Sequence, residues 1–327
     1  MNMTKSIRNT LFAAVAACFG LQVATVHAQA WPAKPVRILI GYGTGGSTDT
    51  TARMVAPHLA EHLGRPFLVE NRPGATGTIA IDLVAKAPPD GYTTIVIVAA
   101  DAIVPAVRSD LPYNLEKDLA PIALITSSPF LMVAHVSVPG DDLKSVIAYA
   151  RANPGKLNYS TSGVGSSAHL TGESLNYMAK LSITHVPFKG SAEGAAALAG
   201  GEIHLSFPSV TGAQGMLKAG KIKAIAVTSA RRSALAPTVP TMSESGLPGF
   251  ERIGWYGMLA PAGTPRDIVM RLNSLIGEIV NKPDVKDMLF KQGLESEGGT
   301  PERLGTLIKN EIEQNRTVVK AINLKIN

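Results

Sequence analysis

The stretch VRILIGYGTGGSTD, running from Val36 to Asp49, decides the fold of this chain. Its first five residues form an apolar run typical of a buried strand, and a glycine-rich turn follows at once. A helical pattern then continues over Thr50–Leu63. Glycines let the backbone approach a ligand closely, and the free N–H groups at the start of a helix attract negative charge. The stretch therefore predicts a strand, a turn that binds an anion, and a helix.

The same turn also matches a dinucleotide-binding fingerprint. Gly41, Gly43 and Gly46 spell G-x-G-x-x-G after a strand, and Glu70 ends a second apolar strand. That acidic residue lies further along the chain than the roughly 20 residues that the fingerprint expects. A single glycine pattern is weak evidence, so this stretch alone leaves both a nucleotide and another anion open as ligands.

Residues 1–30 have the pattern of a secretory signal peptide. Basic residues precede an apolar run from Leu11 to Val23, and small residues suited to cleavage stand at Ala28 and Ala30. Gly20, Gln22 and Thr25 break this apolar stretch, which falls short of the roughly 18 uninterrupted apolar residues of a membrane anchor. A lipoprotein site at Cys18 would leave a still shorter run. We therefore predict cleavage after Ala28 or Ala30 and a periplasmic protein.

The charge of the chain is mildly basic and scattered. The sequence has 31 Lys and Arg against 25 Asp and Glu, a formal net charge of +6, and only 5% aromatic residues. Because no polybasic block is present, nucleic-acid binding has little support. The only cysteine, Cys18, would leave with the signal peptide, so no disulfide or thiolate metal site is expected. We expect no nucleic-acid partner, no metal and no cofactor.

Beyond the first turn, strand-like and helical runs alternate, which is typical of a parallel sheet covered by helices. The pattern of strand, glycine turn and helix recurs at Leu157–His169, and an apolar run at Arg252–Ala260 returns the chain to its first half. A chain of 327 residues is more often two domains than one. We predict an α/β protein with domain I at 31–131 plus 255–327 and domain II at 132–254.

Several motifs together give the chain a family resemblance over nearly all of its length after the leader. They are, in order, WPAKPVRI (31–38), GGSTDTTAR (45–53), ENRPGATG (70–77), PDGYT (89–93), YSTSGVGSSAHL (159–170), VPFKG (186–190) and GWYGMLAPAGTP (254–265). In this order they resemble the Bug-type, or TctC-like, solute-binding receptors of tripartite tricarboxylate transporters. The resemblance implies a two-domain periplasmic-binding-protein fold of the Venus flytrap kind (type II-like) with two crossing segments.

The resemblance also implies where a ligand binds. Family receptors hold a carboxylate through main-chain amides and waters in the loops of the first domain, and closure adds donors from the second. Carried over to this sequence, the predicted ligand-binding residues are Tyr42, Gly45, Gly46, Ser47, Asp49, Ala75, Thr76, Gly77 and Ser127 in the first domain, and Ser162, Gly163, Gly165, Ser166, Lys189, Gly190, Ser191 and Phe207 in the second. The implied ligand is a dicarboxylate, tricarboxylate, amino acid or aromatic acid. A monomer would deliver it to the membrane components of the transporter.

Several of these residues also have a structural interpretation. Asp49 is equally suited to cap the following helix by accepting its early N–H groups. Arg53 and Lys189 are residue types that often form ion pairs, and Phe207 fits either a core or a cleft wall. His204 stands where family members often carry an acidic residue, and this difference either tunes specificity or has no role.

An exported enzyme is the competing hypothesis. The chain has no G-x-S-x-G nucleophile elbow, no H-E-x-x-H motif and no P-loop. A serine hydrolase would have to pair Ser162 or Ser166 with His169, and the sequence offers no third residue to orient that histidine. An NAD-type oxidoreductase would use the turn of residues 41–46, but such cofactors are not freely available outside the cytoplasm. We therefore predict a receptor without catalytic residues, in which His169 is structural.

Overall fold

The computed structural model describes residues 31–321. The predicted signal peptide, its two cleavage sites and Cys18 lie outside the described residues, as do residues 322–327. Within the described residues, the chain from Lys34 to Ala321 forms one compact unit. None of the helices between residues 31 and 321 is long and apolar enough to cross a membrane.

Strands and helices alternate along this unit, as the sequence predicts. The strands are β1 Val36–Ile40, β2 Phe67–Asn71, β3 Thr93–Val98, β4 Leu119–Pro129, β5 Leu131–His135, β6 Asn158–Thr161, β7 Thr184–Pro187, β8 Leu205–Ser206, β9 Ile222–Val227, β10 Ile253–Pro261 and β11 Glu295–Ser296. The helices are α1 Ser47–Leu63, α2 Thr78–Ala85, α3 Val104–Val107, α4 Leu143–Ala152, α5 Ser167–Ala179, α6 Ser191–Gly200, α7 Val210–Lys218, α8 Arg266–Asn281, α9 Pro283–Lys291 and α10 Pro301–Ala321, with a 3-10 turn at Ala99–Ala102. Helix α1 begins before the predicted Thr50, because Gly46 already caps it.

The first lobe is built on a six-stranded sheet in the order β11-β4-β10-β3-β1-β2. Strand β1 is parallel to β2 and β3, with Ile40 opposite Asn71 on one side and Val96 on the other. Strand β10 is antiparallel to β3 and β4. Because the carboxyl ends of parallel strands meet at one edge, the turns after β1, β2 and β3 lie side by side.

The second lobe is built on a five-stranded sheet in the order β7-β6-β8-β5-β9. Strand β6 is parallel to both β7 and β8, and β5 is antiparallel to β8 and β9. The turns after β6, β7 and β8 therefore share one edge, and each leads into a helix. The second lobe thus repeats the arrangement of the first on a smaller sheet.

Each lobe has its own hydrophobic core. The first contains Leu39, Ile95, Trp255 and Ile308, among others, and the second contains Met132, Tyr159, Leu175 and Phe250. Each large apolar side chain buried in this way contributes about 1.5–3 kcal/mol to folding. A small cluster of Ile103, Leu170 and Val318 joins the lobes. We propose that the lobes are the two domains predicted from the sequence, connected where β4 runs into β5 and where the chain enters β10.

Candidate functional site: two facing turns

The turn after β1 approaches the turn after β2 so closely that a side chain on Gly41 would collide with the backbone of Gly77. Gly45 has a φ of 84°, which favours glycine, whereas Gly46 has a φ of −73°, which any residue can adopt. The bond that closes the first turn of α1 runs from Thr50 N to Gly46 O at 2.9 Å. The helix amides before Thr50 have no acceptor within the helix and are placed to donate to an anion.

Asp49 braces this turn from inside α1. Its carboxylate accepts hydrogen bonds from Gly45 N, Arg53 Nε and Asn71 Nδ2, each at 3.0 Å. Burial opposes ionisation of the carboxyl, but the hydrogen bonds from these three partners outweigh it and lower the pKa of Asp49. The helix-capping role considered for Asp49 is wrong, because Gly46 is the cap and the carboxylate turns back to the Gly45 amide.

The turn after β2 holds three successive residues in the left-handed conformation. The φ angles are 47° at Ala75, 52° at Thr76 and 80° at Gly77. At Ala75 and Thr76 this conformation costs roughly 1–2 kcal/mol each, and such strain is usually retained where a site needs it. Successive backbone N–H groups in turns of this kind can form a concave site for an anion.

Asp101 is a fully buried carboxyl that lies against both turns of the first lobe. It accepts hydrogen bonds from Tyr42 OH at 2.7 Å and from Val98 N at 2.9 Å. Loss of hydration raises the pKa of Asp101 to about 7, although both hydrogen bonds favour the ionised form. A side chain on Gly77 would collide with this carboxyl group. The Tyr42 hydroxyl is thus used to hold the turns in place.

The turn after β6 in the second lobe has the same design. The Ser166 hydroxyl caps α5 by accepting from His169 N at 3.2 Å, and it donates to Gly163 O at 2.8 Å. Gly165, with a φ of 80°, donates its N–H to His169 Nδ1 at 3.1 Å. His169 therefore braces the second turn as Asp49 braces the first.

A second histidine supports this brace. The rings of His169 and His185 stack with centroids 4.0 Å apart, and His185 Nε2 lies 2.7 Å from Thr161 Oγ1. Burial lowers the pKa of His169, and burial together with the neighbouring His169 lowers the pKa of His185 to about 4. Because Gly165 donates to it, Nδ1 of His169 carries no proton, so that ring is neutral.

The loop after β7 lies at the same edge as the turn after β6. Thr161 is opposite Pro187 where the two strands end. Gly190 caps α6, Ser191 begins it, and the Lys189 amide donates to Glu193 Oε2 at 3.2 Å. The three predicted residues Lys189, Gly190 and Ser191 therefore follow the same edge of the sheet as Ser162–Ser166.

A cavity of about 650 Å³ joins the two lobes. Ala75 and Thr76 line it from the first lobe, and Val164 and Gly165 line it from the second. The segment after β3 supplies further lining residues that the sequence predictions missed: Ala100, Ile103, Val104, Val107, Arg108, Ser109 and Asp110. A neighbouring groove of about 700 Å³ contains none of the glycine turns, so the smaller cavity is the candidate binding site.

Other predicted residues lie away from this cavity. Ser127 is buried on β4, and its hydroxyl donates to Glu297 Oε1 at 2.6 Å. Phe207 belongs to the core of the second lobe, where its ring meets Tyr159 edge-on at 6.0 Å. His204 lies beside the start of β6, where its backbone N–H donates to Asn158 Oδ1 at 2.8 Å and its ring Nδ1 lies 2.7 Å from the same oxygen. These contacts give the three side chains structural roles outside the cavity lining.

A buried polar network connects the lobes next to the start of β10. Arg252 precedes β10 and donates to Glu311 at 2.9 Å, to Asn315 at 2.6 Å and to Ser174 at 3.0 Å. The indole of Trp255 donates to the same Glu311 at 3.4 Å. Breaking a buried pair of this kind by removing one partner costs about 3–5 kcal/mol. The crossing segment is therefore tied to helices of both lobes.

Within residues 31–321, no group of three or more His, Cys, Asp or Glu side chains is arranged to hold a metal ion. The site consists instead of backbone amides, hydroxyls and aliphatic side chains, with Arg108 and Asp110 at its border. Such a site can bind a small anion and contains no assembled nucleophile, base and orienting residue.

Comparison with known proteins gives a consistent result. The model for the tripartite tricarboxylate transporter family receptor, TctC, matches residues 51–324. Protein BugT of Bordetella pertussis is 31% identical over 334 residues, covering 100% of each chain. The structure of R. palustris Rpa4515 with adipate is 35% identical, with a TM-score of 0.67, and covers 89% of this chain and 97% of that one. A TctC solute binding protein from Polaromonas, with no ligand, is 26% identical with a TM-score of 0.82, and covers 89% and 99%.

These comparisons confirm the predicted α/β fold of the two-domain periplasmic-binding type and the Bug-type resemblance. They also confirm a solute-binding receptor in place of an exported oxidoreductase or hydrolase, because the matched family consists of receptors. The chain belongs to the receptor family of the tripartite tricarboxylate transporters.

Proposed function

We propose that this receptor captures a small carboxylate between its two lobes and delivers it to the membrane components of a tripartite tricarboxylate transporter. The observation that carries the proposal is the cavity in which Ala75 and Thr76 of one lobe face Val164 and Gly165 of the other. Glycine turns that open at helix starts on both sides are suited to an anion.

The ligand class follows from the chemistry of the turns. Hydrogen bonds to a charged group contribute roughly 1.5–3 kcal/mol each, and a micromolar ligand needs about 8 kcal/mol in total. Several amides and hydroxyls therefore suffice without a metal or a buried arginine. The adipate bound by the R. palustris protein supports a carboxylate ligand here. Within that class, dicarboxylates, tricarboxylates, amino acids and aromatic acids all present a group that the turns would accept.

Domain closure is the proposed means of capture. The chain superposes better on the ligand-free Polaromonas protein than on the adipate complex, with TM-scores of 0.82 and 0.67, although its sequence identity to the former is lower, 26% against 35%. This supports an arrangement of lobes like that of a ligand-free receptor. Ligand binding would then rotate the predicted domains together about the segments at β4–β5 and Arg252.

The proposed compartment is the periplasm, reached through the predicted signal peptide, where the receptor would work as a monomer. The structures it resembles support this placement, since one of them is described as a periplasmic transporter and another as the periplasmic binding protein BugD.

A thermal-shift screen of a carboxylate library tests the proposal. A ligand at 100 times its Kd stabilises the folded state by about 2.7 kcal/mol, which raises Tm measurably. We expect at least one carboxylate to raise Tm without being consumed, and NAD at the same concentration to leave Tm unchanged. A library in which no carboxylate raises Tm, or a response to NAD alone, would overturn the proposal.

A further inference from the structure

Arg108 stands at the border of the cavity, at the end of the short helix α3. Its amide donates to Val104 O at 2.9 Å, which fixes the backbone. Its guanidinium makes two parallel hydrogen bonds to Asp110, Nε to Oδ1 at 3.1 Å and Nη2 to Oδ2 at 2.9 Å. This forked geometry is the one in which arginine recognises a carboxylate.

Arg108 and Asp110 are also the only charged residues among those that line the cavity between the described lobes. The arginines nearer the first turn already have carboxylate partners, Arg53 with Asp49 and Arg72 with Glu70. The guanidinium of Arg108 is therefore the cationic group placed to meet a second negative charge on a ligand in the cavity.

The pair with Asp110 is easily exchanged. The Asp110 side chain is 73% exposed and that of Arg108 is 39% exposed, so water screens their attraction. Closure of the lobes would exclude water, and an ion pair with a ligand would then be stronger than the resting pair. A ligand carboxylate can therefore replace the Asp110 carboxylate on Arg108. Arg108 keeps a carboxylate partner, and the exposed Asp110 carboxylate is hydrated by water.

The wall between the turns and Arg108 is aliphatic. It is formed by Ile103, Val104 and Val107 of the first lobe and by Val164 of the second, whose side chain is exposed. These side chains offer no hydrogen-bond partner, so they favour a hydrocarbon segment over a hydroxylated one.

We propose that Arg108 is the specificity-determining residue of the site and selects aliphatic dicarboxylates. One carboxylate binds the glycine turns, the hydrocarbon chain lies along the aliphatic wall, and the second carboxylate replaces Asp110 on Arg108. The inference rests on the proposed function, since it assigns a second contact to a ligand already held by the turns.

Isothermal titration with matched ligands tests this assignment. The probes are succinate, glutarate, adipate and pimelate, each paired with the monocarboxylate of the same chain length. For the dicarboxylate that binds the natural protein most tightly, Arg108→Gln should weaken binding about tenfold or more, and should change binding of its monocarboxylate partner less than about twofold. Asp110→Asn should tighten dicarboxylate binding, because it removes the competing carboxylate.

Arg316→Gln is the matched control. Arg316 lines the neighbouring groove, together with Arg108, but not the cavity between the lobes. It should leave dicarboxylate affinity unchanged. Equal losses in Arg108→Gln and Arg316→Gln, or equal binding of dicarboxylates and monocarboxylates to the natural protein, would overturn the role of Arg108 while the carboxylate receptor stands. Failure of every carboxylate to bind the natural protein would instead reject the proposed function and this inference with it.

Discussion

The turn after β1 and the turn after β6 are each held by a hydrogen bond from a glycine amide, but the acceptors differ chemically. In each, a glycine with positive φ donates its N–H to a side chain four residues later, Gly45 to Asp49 and Gly165 to His169. In the first lobe the acceptor is an ionised carboxylate held by Arg53 and Asn71. In the second it is a neutral imidazole. The first brace therefore depends on a charge being present, and the second on a charge being absent.

The largest effect is expected from filling the first turn. Gly46→Leu should lower carboxylate affinity about a hundredfold or more, or about 2.7 kcal/mol, because the side chain would cover the amides of the turn. The fold should survive, since φ at Gly46 is ordinary and a Cβ there meets only Gly43 O at 3.7 Å. Titration calorimetry and urea unfolding together measure both effects.

Gly165→Leu is the counterpart in the second turn and sharpens the comparison. It should lose affinity and also stability, by roughly 1–2 kcal/mol, because its φ of 80° suits glycine only. The control is Gly215→Leu, on an exposed face of α7 where a Cβ meets nothing within 4 Å. Unchanged affinity in both turn variants would mean that the turns have no contact with ligand.

The next effect is expected from removing the first brace. Asp49→Ala should reduce the free energy of unfolding by about 2–3 kcal/mol, because three hydrogen bonds to a buried carboxylate are lost. Asp49→Asn keeps an acceptor for Gly45 and should lose less. The measurement is urea unfolding at neutral pH. A change within about 0.5 kcal/mol in the alanine variant would contradict a bracing role.

The second brace should respond to acid. The pKa of His185 is about 4 in the folded protein, below its ordinary value of 6.5. Between these two values the unfolded chain therefore binds more protons than the folded protein. Stability should therefore fall as pH decreases from about 6.5 towards 4. Once His169 is protonated, its Nδ1 can no longer accept from Gly165, so ligand affinity should fall too. Glu173, which bonds Tyr159 beside these rings, favours the protonated form and moderates the effect.

Urea unfolding and calorimetry at several pH values check this prediction. His185→Gln should reduce the loss of unfolding free energy between pH values of about 6.5 and about 4. His62→Gln, at an exposed position on α1, should leave that loss unchanged. An unchanged loss of stability with acid in the His185 variant would show that His185 does not cause it.

A pH effect of opposite sign is expected from the first lobe. Because burial raises the pKa of Asp101 to about 7, the folded state binds more protons than the unfolded state between about 4 and 7. Its contribution to stability should therefore decrease as pH rises through that window. Asp101→Asn should remove this slope, and the exposed Asp284→Asn should not. If the stability of Asp101→Asn still decreased with pH in this window, the decrease would come from other titrating groups.

The sequence could predict the parts of this molecule that have a local pattern. The alternation of strands and helices, both glycine turns and the returning strand β10 follow from apolar runs and turn residues that are adjacent in the chain. It could not predict the hydrogen bond of Ser127 to Glu297, because the two residues are far apart in sequence. Nor could it decide whether Phe207 belongs to a core or to a cleft wall.

The lining after β3 was missed for a different physical reason. A 3-10 turn and the helix Val104–Val107 are too short to show periodicity, and Arg108 beside Asp110 resembles an ordinary surface pair. One signal was present: this segment follows the carboxyl end of a parallel strand, as the two predicted turns of the first lobe do.

The most direct test of the central claim is a crystal structure of the protein with the carboxylate that gives the largest thermal shift. One carboxylate group should lie within hydrogen-bond distance of amides in the turns at Gly45–Ser47 or Ala75–Gly77, with the Ser162–Ser166 turn closed over the ligand. Ligand density confined to another surface, or a complex in which the second lobe makes no contact with the ligand, would contradict it.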